Sequence, residues 1–107
     1  MNNQRIQLLL SYIQEEPDEP FNVYALAMEY LDSQPAQAQH YFEMLLERFP
    51  HYLPTYYHAA ALYAELENRP RAALLYEQGI ALARSQQNQK AIDELSRAFR
   101  TFQEDDW

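Results

Sequence analysis

Apolar positions recur along this chain at three-and-four spacing, and no apolar-polar alternation runs long enough to make a strand. The pattern predicts an all-α chain of six helices. In the first, over residues 3–15, Ile6, Leu9, Leu10 and Ile13 share one face; it stops before Pro17 and Pro20. Pro20, Pro35 and Pro54 each suit a first helical turn, where the missing N–H costs nothing. Helices therefore run from Pro20 to about Leu31, from Pro35 to near Phe49, and from Pro54 to near Glu67. Asn68 is a ready N-cap for a fifth, from Arg69 to about Ser85. A sixth, over residues 88–103, carries Ile92, Leu95, Phe99 and Phe102 along one stripe.

These helices are periodic among themselves. Val23, Leu26, Ala27 and Tyr30 recur 33 residues later as Tyr56, Ala59, Ala60 and Tyr63. Ala38, Phe42, Leu45 and Pro50 recur 34 residues later as Ala72, Tyr76, Gly79 and Arg84. The step from 33 to 34 means that one residue is missing from the turn near Ser33, Gln34 and Pro35. Small residues at Ala27, Ala60 and Ser96, and at Ala38 and Ala72, let paired helix axes approach closely. Tyr30, Tyr63, Phe42 and Tyr76 then fill the wedges between successive helices. A large residue at Ala27 or Ala60 should overpack by roughly 1–3 kcal/mol.

The columns resemble the tetratricopeptide repeat (TPR), a helix-turn-helix of about 34 residues. Val23 departs from the usual Trp or Tyr, and Gly79 and Arg84 from the usual Ala and Pro. Pro17 lies 6 before Val23, as Pro50 lies 6 before Tyr56, so the first helix reads as half a repeat. The sixth restates the opening half as Ile92, Leu95, Ser96 and Phe99. One domain over residues 1–107 is expected, with a half-repeat helix at 3–15, repeats at 18–50 and 51–85, and a capping helix at 88–103. The added halves cover the ends of two repeats that would otherwise bury too little.

The resemblance implies a right-handed α-α superhelix of antiparallel helices whose concave groove binds a peptide of another protein. On that basis the groove candidates are Phe21, Tyr24, Met28 and Leu31, then Tyr57, Ala61 and Glu65 with His58 beside them. A third row is Lys90, Asp93 and Arg97. Chaperone-binding members clamp a terminal carboxylate with Lys and Asn, whose chemistry needs cationic and amide donors. Here the matching positions hold Tyr24, Met28 and His58, and the place of an Arg companion to Lys90 holds Glu94. The expected ligand is instead an apolar segment with some basic character.

Composition narrows the function further. Sixteen acidic residues against 8 basic ones give a net charge of −8, which argues against nucleic acid or anionic lipid as partner. The chain has no cysteine and a single glycine, so thiolate metal sites, sulfur nucleophiles and glycine-rich phosphate loops are excluded. His40, His51 and His58 lack metal-ligand spacing, and no serine sits in a nucleophile elbow. Neither an enzyme nor a cofactor is expected. No signal segment or bilayer-length apolar run is present, and a cytoplasmic location is the expectation. Glu104, Asp105 and Asp106 oppose the dipole of the last helix, which should fray there. Trp107 reads as an unstructured tail or as a short anchor. The alternative function is self-association into a homodimer through the stripe of the sixth helix.

Overall fold

The computed structural model describes residues 2–105 as six helices, with no strand among those residues. They are α1 (Asn3–Glu15), α2 (Pro20–Tyr30), α3 (Pro35–Arg48), α4 (Pro54–Glu65), α5 (Arg69–Ser85) and α6 (Gln89–Glu104). Trp107 lies outside the described residues, as does Asp106. The chain divides into two compact units, Met1–Thr55 and Tyr56–Trp107, and the boundary falls in the first turn of α4.

In the first unit α2 packs against both α1 and α3. Its core joins Ile6 and Leu9 of α1 to Ala25 and Leu26 of α2, with Leu10, Ile13, Tyr30 and Tyr41 around them. Ala27 and Ala38 are 0% exposed, the condition for α2 and α3 to lie close together. The Tyr30 and Tyr41 rings stack 5.9 Å apart. The start of α1 is tied to α2 through Glu29, which accepts from the Asn2 backbone N–H (3.2 Å) and pairs with Arg5 Nε (3.2 Å).

The second unit repeats the scheme with α4, α5 and α6. Ala59, Ala60 and Ala72 are fully buried, like the alanines of the first unit. Gly79 stands where the first repeat has Leu45, and its setting explains the change. A Cβ built on Gly79 would lie 2.8 Å from Tyr56 Cβ and 3.3 Å from Leu95 Cδ1, so α4 and α6 both press on this point of α5. The stripe of α6 faces that surface: Leu95 and Phe102 are buried, and Phe99 stacks on Tyr76 at 5.5 Å. Arg84, replacing Pro50, is exposed as Pro50 is, so the exchange leaves the core untouched.

The turns show what the missing residue does. After α4, Glu67 adopts a left-handed φ of 62° and donates to Ala64 C=O, while Asn68 N–H reaches back to Tyr63 C=O at 2.9 Å. After α5, Gln87 (φ 55°) and Asn88 repeat this closure onto Arg84 and Ala83. Each Asn then caps the following helix, accepting from Arg71 N–H and Ala91 N–H respectively. In the first repeat the turn is one residue shorter. Gln34 N–H closes directly onto Tyr30 C=O at 2.8 Å, no left-handed residue is needed, and Gln34 makes no side-chain cap.

The fraying expected at the acidic end does not reach the described part of α6, which stays helical through Glu104. Arg69 supplies the reason. Its guanidinium donates to Phe102 C=O at 2.7 Å and lies 4.0 Å over the Phe102 ring, placing a cation at the negative end of the helix.

Two stability changes follow. Gly79→Ala gains helix propensity of about 1 kcal/mol. It loses more to overpacking, because Tyr56 Cβ is fixed to the α4 backbone; a net destabilisation of about 1 kcal/mol should appear in urea unfolding. Glu67→Gly removes left-handed strain and should stabilise by about 0.5–1 kcal/mol, a rise in Tm of roughly 2–6 °C.

Candidate functional site

An open cleft of about 580 Å³ lies between α4 and α6, with α5 behind it. Its size is that of a small-ligand or side-chain pocket. The spacing of α4 brings Tyr57, Ala61, Ala64 and Glu65 onto one face, and that of α6 brings Glu94, Arg97, Ala98 and Thr101 opposite them. Rings of Tyr57, Tyr76 and Phe102 provide the walls, and half-buried alanines provide the floor. The rim is charged with both signs: Glu65, Glu94 and Asp105 against Arg69 and Arg97. Arg69 is already engaged with Phe102. Among the described residues, Arg97 and the three rim carboxylates form no ion pair.

Four of the expected groove residues, Tyr57, Ala61, Glu65 and Arg97, line this cleft. His58 does not, although its ring meets that of Tyr57 edge to face at 5.2 Å. Burial lowers the pKa of the half-buried His58 below the usual histidine value. Burial raises the Tyr76 phenol, and the neighbouring Tyr57 phenol adds to the rise.

Four further candidates belong to the first unit: Phe21, Tyr24 and Met28 on α2, and the half-buried Leu31 at its C-cap. Phe21 is 54% exposed, and Met28 is half-buried. Tyr24 packs edge to face on Tyr52 at 5.8 Å, and burial raises both phenols, with Tyr24 and Glu19 adding to the rise at Tyr52.

Lys90 and Asp93 do not line the cleft; Asp93 accepts from Gln89 Nε2 at 2.8 Å. The sequence pattern did not point to Ala64 on α4, nor to Ala98, Thr101 and Asp105, which lie beside the apolar stripe of α6. The signal was present, because positions 94, 97, 98, 101 and 105 hold a helical spacing of their own. A second hollow, of about 490 Å³, lies between Pro70, Ala73 and Glu77 of α5 and Phe99 and Gln103 of α6. No group of His, Cys, Asp and Glu suited to a metal ion occurs among the described residues, and no helix there is long and apolar enough to cross a membrane.

Comparison with solved structures identifies this arrangement. A tetratricopeptide repeat domain protein from Salinibacter ruber, in its crystal structure, is 38% identical over 82% of this chain and 99% of its own, with a TM-score of 0.78. A solution NMR structure of a tetratricopeptide repeat domain protein from the same organism is 40% identical over 81% of this chain and 89% of its own, with a TM-score of 0.76. No protein-family model matches the chain, and no curated protein does. The chain belongs to the tetratricopeptide repeat family, whose fold serves generally as a protein-interaction module.

The lowered pKa of His58 sets a pH dependence. The folded state takes up its proton later than the unfolded chain, so this contribution is whole above about pH 6.5 and is lost as pH falls through the folded pKa. A proton NMR titration should place His58 below 6.5. His58→Asn should remove part of the acid-side fall in stability.

Proposed function

We propose that this chain is a non-catalytic interaction module that takes a peptide segment of a partner protein into the cleft between α4 and α6. The observation that carries this reading is the cleft itself, an opening with aromatic walls and an alanine floor. Rings present large contact area at low entropy cost, and the small floor leaves room for an inserted apolar side chain. Tyr57, Ala61, Glu65 and Arg97 are the proposed contacts, with His58 supporting the Tyr57 ring. Phe21, Tyr24 and Met28 are proposed as contacts of the first unit in their own right.

The proposed partner is a protein, its segment apolar with some basic character, and the net charge of −8 disfavours nucleic acid and anionic membranes. Self-association through α6 is the weaker reading. Leu95 and Phe102 are buried within the second unit, which leaves little of the stripe to pair with another copy.

Photo-crosslinking tests the main reading. A benzoylphenylalanine in place of Tyr57 should give defined protein adducts in cells, whereas the same group in place of Leu74, 42% exposed on α5, should not. Equal labelling from both positions would remove the cleft from consideration.

A further inference from the structure

Tyr76 of α5 is only 5% exposed, yet it lines the cleft, so the little it shows is turned toward that opening. Its ring is fixed by Phe99 at 5.5 Å and Phe102 at 5.6 Å, which gives the hydroxyl a set position. Among the described residues that hydroxyl has no hydrogen-bond partner. It is not sealed in either. Thr55 Oγ1 is the side-chain atom that is both closed to solvent and without a partner; the Tyr76 oxygen keeps an opening, and the cleft is that opening. Water entering there can serve the hydroxyl, and a segment that displaces the water must replace the bond.

We infer that Tyr76 is the hydrogen-bond donor at the back of the cleft, reserved for a main-chain carbonyl of the bound segment. This rests on the cleft being the binding surface, and it adds how the segment lies there. An apolar segment brings no side-chain acceptor, but each of its residues brings a C=O. Pressed onto alanine methyls without a donor, that C=O costs as much as a lost hydrogen bond. The other lining donors are engaged or outside: Arg69 donates to Phe102 C=O, Thr101 to Arg97 C=O, and Arg97 and Tyr57 are exposed. A ligand N–H or ammonium group would instead find Glu65, Glu94 and Asp105 on the exposed rim. Burial raises the Tyr76 phenol above its ordinary value, so at neutral pH it keeps the proton it donates. A helix spends its carbonyls on its own N–H groups, so the segment is extended where it crosses Tyr76.

Tyr76→Phe tests this, because it keeps both ring stacks and removes one oxygen. In the free chain Tm should hold or rise, since no bond within the fold is lost. Binding is measured with random peptides displayed on phage, selected on the intact chain, re-made and titrated by fluorescence anisotropy. Cleft binders are those lost in Tyr57→Ala, and their affinity for Tyr76→Phe should fall about three- to tenfold. Replacing one peptide bond at a time by a thioamide, whose sulfur is a poorer acceptor, identifies the carbonyl. One position should weaken binding to the intact chain but not to Tyr76→Phe.

A lower Tm in Tyr76→Phe gives the hydroxyl a partner within the fold and overturns the inference. Tyr57-dependent peptides that bind Tyr76→Phe equally well overturn it and leave the cleft reading standing. The same holds if the coupling to Tyr76 resides in a peptide side chain and in no main-chain carbonyl. Recovery of no Tyr57-dependent peptide defeats both.

Discussion

Close approach between helix axes is the constraint on which the rest of this fold depends. Ala27 and Ala38 in the first unit, and Ala60 and Ala72 in the second, are completely shielded from solvent. Only a side chain no larger than methyl lets two helices pack at the short end of the usual 8–10 Å separation. At that distance the rings of Tyr30, Tyr63, Phe42 and Tyr76 fill the remaining wedges. Gly79 carries the logic one step further, since even a methyl would meet Tyr56 and Leu95 there. Its departure from the repeat pattern is a tighter version of the same device.

Helix ends follow from economy of backbone partners. Asn68 and Asn88 each close one helix with the backbone N–H and open the next with the side-chain oxygen, so two sets of orphan groups are served by one residue. Arg69 and Arg71 sit in the first turn of α5, where the helix dipole disfavours cations. Both are used elsewhere: Arg69 on the end of α6, and Arg71 over the Tyr63 ring at 5.8 Å. Residues that look misplaced on their own helix are correctly placed for a neighbour.

The cleft is a by-product of the same packing. Helices brought together by small residues on one side also present small residues, Ala61 and Ala98, on the open side, and the space left above them is the candidate site. A fold of this kind sets where a partner can bind without setting which one, because specificity lies in the side chains grafted around the opening. Here those are three rings and a rim that mixes Glu65, Glu94 and Asp105 with Arg69 and Arg97.

Helix number, the repeat frame and the small crossing residues were legible in the sequence because they depend on local periodicity and on side-chain size. Asn68 as a cap was legible for the same reason, since a cap bonds within its own first turn. The one-residue gap near Ser33 was visible as a shift of register, but its consequence, a turn without a left-handed residue, required the backbone path. Arg69 capping α6 joins positions 33 residues apart, and no local pattern announces such a bond. The cleft was half legible: Tyr57, Ala61, Glu65 and Arg97 follow from the repeat frame, whereas Ala98, Thr101 and Asp105 depended on how far α6 is rotated about its axis. That rotation is set by Leu95 seating against Gly79 and Phe99 and Phe102 against Tyr76, contacts between helices that only the tertiary structure decides.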